Sequence, residues 1–218
     1  MSAAGNIRSM RTIRGIESEI LIAQSVLGPV EKTDQGTINH YENMDKGIAD
    51  FYSAGDFEIS LNDGVFIDIG DKIKTVKKLL NDMKIETAVV SQSGTRRNEI
   101  ITAVCAYKGA SIFNCTIEFG YNGEVLMTVK GRFISGAESM DDGKPISTAG
   151  TALLNFFAAV RRGDVECSRI DSVEAGYQHR AVGSLGDGVI EPAWLISADT
   201  GRYVIDDSTG EIVSRQLF

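Results

Sequence analysis

The chain has 218 residues, 43% hydrophobic and 24% charged, which is long enough to bury a core without a disulfide or metal staple. Its formal net charge is -8, and no run of Lys and Arg offsets that locally, so nucleic acid and anionic membrane surfaces are disfavoured as partners. Three cysteines without CxxC spacing and two histidines do not assemble a Cys/His metal set, and nothing in the sequence asks for a cofactor.

Ile13, Ile16, Ile20, Ala23 and Leu27 recur at spacings of three and four, which predicts a helix over 7–27, stopped by Gly28-Pro29. Residues 36–62 read as a meander of strands, broken at Gly47 and at Ser53-Ala54-Gly55. Asp71 stands at an N-cap position ahead of Ile73, Val76, Leu79, Leu80 and Met83, all on one helical face. Extended runs follow at 86–93, 98–107, 111–121 and 123–135. Asn122-Gly123 is the strongest hairpin signal, and a two-residue loop there sets Phe119 opposite Leu126. Cys105 and Cys115 flank the turn before it and are placed to face one another across that hairpin, the usual fate of such residues being a small buried thiol.

Residues 135–146 are polar and turn-rich and are expected to connect two lobes. Ser147 or Thr148 then caps a helix carrying Ala149, Leu153, Phe156, Phe157 and Val160 and ending at Gly163. Strands are expected near 165–178, 193–198, 202–206 and 211–214. A helix followed by an antiparallel meander, stated at least twice, predicts an α+β protein of two lobes, each a helix packed on its own antiparallel sheet. The expected lobes are 1–134 and 147–218. Alternating βα units, which a parallel nucleotide-binding sheet requires, are absent from the pattern.

Asp199-Thr200-Gly201 after an apolar run resembles the way an aspartic protease presents its carboxylate, but such enzymes need two carboxylates sharing a proton. The second candidate, Asp207-Ser208-Thr209-Gly210, has an extra residue, and Asp and Thr before Gly suit a tight turn, so both stretches are expected to join strands. An aspartyl hydrolase is the least favoured function. GAESMDDGK has the wrong gap for a phosphate loop, and Asp141-Asp142 and Asp206-Asp207 read as solvated charge. His40 and His179 are expected on the surface. Asn114-Cys115-Thr116 fits a glycosylation acceptor but falls inside a strand. Trp194, the sole tryptophan, is expected either in the core or, with Tyr203 and Tyr177, on a binding surface between lobes.

ISTAGTALLNFFAAVRRGD, RIDSVEAGY and EPAWLISADTGRYVIDDSTGEI, in that order, resemble the tail of the YycH/YycI regulatory proteins of Gram-positive bacteria. YVIDDSTGEIV also looks like the closing hairpin of PepSY-type domains, and GTINHYENMDKGIADFYSAGDFEISL is similar to the Tyr-rich meander of YycI-like chains. The resemblance implies a non-enzymatic, extracytoplasmic protein that modulates a cell-wall sensor histidine kinase of the YycG/WalK type by contact, together with a sister regulator. It also implies a membrane anchor N-terminal to these residues; read without that anchor, the composition suits the cytoplasm. A PepSY-type module for a peptide or small ligand, or a protease inhibitor, is the alternative.

Overall fold

Among the described residues a helix followed by four antiparallel strands occurs three times. In the first, α1 (Ile16–Leu27) precedes β2 (Glu31–Gln35), β3 (Ile38–Asn43), β4 (Gly47–Tyr52) and β5 (Asp56–Phe66). In the second, α2 (Lys72–Asp82) precedes β6 (Thr87–Gly94), β7 (Asn98–Tyr107), β8 (Ala110–Asn122) and β9 (Val125–Arg132). In the third, α3 (Ala149–Arg162) precedes β11 (Ile170–Ala181), β12 (Gly188–Ala198), β13 (Gly201–Asp206) and β14 (Ile212–Leu217). Two short strands, β1 (Met10–Ile13) and β10 (Gly136–Ser139), stand outside this pattern. The computed structural model describes residues 7–13, 15–35, 38–52, 55–66, 71–95, 97–140, 145–182 and 188–217.

Local chemistry explains the helix ends. The Asp71 carboxylate accepts from the Lys74 N–H at 3.0 Å, and Thr148 Oγ1 accepts from the Thr151 N–H at 3.2 Å, each satisfying a first-turn donor. Gly163 closes α3 at φ 78°. The N-terminal helix is shorter than its apolar spacing predicts, because Gly15 is its N-cap and the preceding Met10, Arg11 and Thr12 pair as β1 with both β10 and β12. The turn after β8 also differs from expectation. Asn122 pairs with Val125, so the loop is Gly123-Glu124 with Gly123 at φ 61°, and a bulge at Gly120/Tyr121 puts Phe119 opposite Val129.

The three meanders do not remain separate. β5 and β9, the last strands of the first two units, lie antiparallel with Ile59 opposite Val129. That contact leaves α1 and α2 over one common core, in which Ile22, Leu27, Val76 and Leu80 meet Phe51, Phe57, Ile59, Ile117 and Phe119. The third unit joins through a parallel pair, Tyr177 of β11 beside Ile112 of β8. Its helix lays Ala152, Phe156 and Ala159 on Trp194, Ile196, Tyr203 and Ile205. Ala175 and Ile146 pack against both cores.

The expected two-lobed α+β arrangement is therefore replaced by one 14-stranded mixed sheet, whose central path runs β10-β1-β12-β11-β8-β9-β5-β4-β3-β2. The physical reason is edge pairing. The last strands of the first two meanders, β5 and β9, satisfy each other's edge N–H and C=O groups, and the first strand of the third, β11, pairs with β8. The segment 135–146, expected as a free connection, is itself partly strand: β10 pairs with β1, which in turn hydrogen-bonds to β12.

Candidate functional site

Alternation along β3 to β9 points Tyr41, Phe51, Ile59, Val129 and Phe119 into the core, so every second residue between them lies on the opposite face. Pairing register aligns those outward residues into a row across six strands: His40 opposite Asp50, Asp50 opposite Glu58, Glu58 opposite Lys130, Lys130 opposite Glu118, and Glu118 opposite Thr102. His40 Nδ1 and Asp50 Oδ1 are 2.6 Å apart, and Lys130 Nζ is 3.5 Å from Glu118 Oε2. Next to this row Arg132 donates from Nε and Nη2 to the two oxygens of Asp56, at 2.9 and 2.8 Å. Hydrogen bonding to Asp56 holds the guanidinium pKa above its ordinary value.

Between these groups lies a depression of about 350 Å³ lined by Tyr52, Asp56, Phe57, Glu58, Thr116, Glu118, Lys130 and Gly131. Partial burial, then the Asp50 and Glu58 carboxylates, push the Tyr52 phenol up, so it stays a neutral donor. The carboxylates of Asp50, Asp56, Glu58 and Glu118 share this face with the cations Lys130 and Arg132. Lys130 and Glu118 retain 56% and 39% of their side-chain exposure, so their pairing contributes little to stability and leaves both free to meet an outside charge.

The residues expected to form a binding surface lie inside the molecule. Trp194, Tyr203 and Tyr177 are 5%, 2% and 3% exposed. Trp194 Nε1 donates to Asp207 Oδ1 at 3.0 Å, and the same carboxylate accepts from the backbone N–H and the hydroxyl of Ser147. Tyr203 packs on Phe156 with ring centroids 5.3 Å apart, and its hydroxyl lies 2.8 Å from Thr200 Oγ1. Tyr177 meets Tyr107 edge-on at 6.4 Å. An amphipathic ring that finds an internal polar partner has no need of the surface, so these three residues belong to the two cores.

Asp199 is a pin in a turn. Its oxygens accept from Ser168 N–H at 3.1 and 3.2 Å, Ser168 Oγ at 2.6 Å and Arg169 N–H at 3.3 Å, and the Ser168 hydroxyl leads in holding its pKa low. Asp206 folds the last hairpin, accepting from Ser208 N–H at 2.8 Å, Ser208 Oγ at 2.6 Å and Thr209 N–H at 2.9 Å; burial pushes it up, but these donors outweigh burial and keep it low. Asp141-Asp142 lies outside the described residues.

The histidines are not simple surface residues. His40 is partly covered beside Asp50, and His179 is 7% exposed with Nδ1 unpartnered. Burial first, then the Arg132 charge, hold His179 below its ordinary value. The Asn114 amide is a splint between β8 and β11: its Oδ1 accepts from His179 N–H and its Nδ2 donates to His179 O, both at 2.7 Å. That occupies the group a glycan would need.

Sequence reasoning passed over Asp50, Glu58, Glu118 and Lys130. Each sits at an outward position of an alternating strand, which was the available signal, but which charges stand side by side depends on strand order. No family model matches the chain, and no curated protein matches it. A crystal structure of an uncharacterized protein from Eubacterium rectale is similar in fold, with a TM-score of 0.60 over 95% of this chain and 85% of that one, at 9% sequence identity. Similarity at that identity shows the fold alone. No helix among the described residues is long and apolar enough to cross a membrane.

Proposed function

We propose that this protein works by contact, as a non-enzymatic regulatory protein whose open sheet face receives a cationic segment of a protein partner. The partner in this reading is the extracytoplasmic part of a cell-wall sensor histidine kinase of the YycG/WalK type, with a sister regulator as a further contact. The observation that carries the proposal is the row from His40 to Glu118, in which carboxylates outnumber cations and Lys130 and Glu118 are about half exposed. Complementary charge sets association rate and partner choice more than raw affinity. The depression is open; small-molecule sites are mostly enclosing, so the shape favours a peptide or protein surface over a small ligand.

Biolayer interferometry against the kinase ectodomain, with an unrelated kinase ectodomain as control, tests it. The expected result is selective binding that weakens as salt rises and falls at least about tenfold in the double variant Glu58→Lys/Glu118→Lys, since each reversed charge removes an attraction and adds a repulsion. Equal binding to the control, or no binding by folded protein at low salt, overturns it.

A further inference from the structure

Two thiols that belong to neither the open face nor the turns converge on one backbone oxygen. Cys105 Sγ and Cys115 Sγ each lie 3.5 Å from the carbonyl oxygen of Arg132, to which both thiols donate. Both cysteines are free. They stand across the β7/β8 hairpin at the place where its ladder is broken: Val104 pairs with Thr116 and Ala106 with Ser111, so Cys105 faces the stretch of β8 that has slipped out of register. In a regular ladder, closing two sulfurs to the roughly 2.05 Å of a disulfide strains the strands. On the β7/β8 side the ladder is already interrupted between Val104 and Ala106, so the movement breaks no β7/β8 ladder pair there.

We propose that Cys105 and Cys115 are a dithiol/disulfide pair, closed by exchange with a disulfide oxidant of the glutathione class. In the first half of the reaction one cysteine thiolate attacks the oxidant's S–S bond, forming a mixed disulfide and releasing one thiol. In the second half the other cysteine, having lost its proton to solvent, displaces a second thiol and forms the Cys105–Cys115 bond. The two protein sulfurs are oxidised, the oxidant's disulfide is reduced, and both protons end on the released thiols. Burial of both side chains, at 2% and 0% exposure, makes the reaction slow in the folded protein and fast during folding.

Closure has a consequence at the surface. Arg132 O loses both S–H donors, and the Arg132 side chain is the group that grips Asp56 at the rim of the open face. The pair thus links redox state to that rim whether or not the face binds the partner proposed above.

The test uses the full chain, equilibrated with oxidised and reduced glutathione over a range of ratios, once from the folded protein and once by refolding from denaturant. Free thiols are then alkylated in denaturant and mapped by mass spectrometry. Trypsin cuts after Lys108, between the two cysteines, so the disulfide appears as a linked peptide pair. The expected result is that Cys105 and Cys115 lose alkylation together while Cys167 does not follow them. The oxidised protein is expected to melt higher by roughly 5 °C, as closure of a short loop predicts. A Cys167→Ser variant is expected to behave identically, and a Cys105→Ser variant to take glutathione on Cys115 or remain reduced. If both cysteines are still alkylated at the most oxidising ratio after refolding, or if one carries glutathione with no linked pair, the proposal is overturned.

Discussion

Asp207 ties together three parts of the third unit with one carboxylate: the Trp194 indole in β12, the Ser147 segment that enters α3, and its own hairpin. Removing it leaves a buried indole N–H and a backbone N–H without acceptors. Asp207→Ala is therefore expected to cost about 2–3 kcal/mol in urea unfolding, with a shift in Trp194 emission reporting the lost contact. His179 makes a different claim. As a base held below its ordinary value of 6.5, it binds fewer protons in the folded chain than in the unfolded one. Its contribution to stability is full above the unfolded value and is lost as pH falls through the folded value. The urea midpoint is expected to decline from about pH 6.5 downward, and His179→Gln to remove that decline. A second loss belongs to the carboxylates. Lys72 leads in lowering Glu99, and Asp206 is held low despite its burial, so their contributions are present above the unfolded carboxylate values near pH 4 and are lost as acid protonates them in the folded state.

At the scale of elements, strand approach is most restrictive at Gly47, which opens β4 at φ 144° opposite Leu61. A Cβ there would stand 2.0 Å from the backbone oxygen of Ser60, an atom that cannot swing away as a side chain can. Gly47→Ala is expected to destabilise by about 2–4 kcal/mol, read as a lowered urea midpoint with unchanged slope. The starts of α2 and α3, in contrast, were legible from their caps, whereas the start of α1 was not. Asp71 and Thr148 cap where their side chains predicted, because a cap is satisfied by donors only three residues away. The hairpin after β8 was legible as a turn but not in register, since the bulge at Gly120/Tyr121 is set by how β8 meets β9 over its whole length.

The whole molecule is joined where a boundary was expected. Residues of β1, β10 and β12 hydrogen-bond across it, and Ala175 and Ile146 touch both cores. Unfolding of either core exposes the other's edge. Urea transitions followed by Trp194 fluorescence, which reports the third unit, and by far-UV circular dichroism, which reports all three, are therefore expected to coincide. Separate midpoints would restore two independent lobes. The candidate site also belongs to this scale: Glu58 and Lys130 come from different units and meet only because β5 and β9 lie side by side.

The sequence by itself determined the helix-and-meander grammar, the cap at Asp71, a cap for α3 at Ser147 or Thr148, the stop at Gly163, and the turn roles of Asp199-Thr200-Gly201 and Asp206 to Gly210. All of these depend on contacts within one helix or one hairpin, where spacing and side-chain chemistry are enough. Only the tertiary structure decided that the meanders fuse into one sheet, that Trp194, Tyr203 and Tyr177 are buried, and that the charges from His40 to Glu118 form one row. Period-two alternation states that a strand has two faces; it does not state which strand lies beside it, because backbone hydrogen bonds pair any two edges that packing brings together.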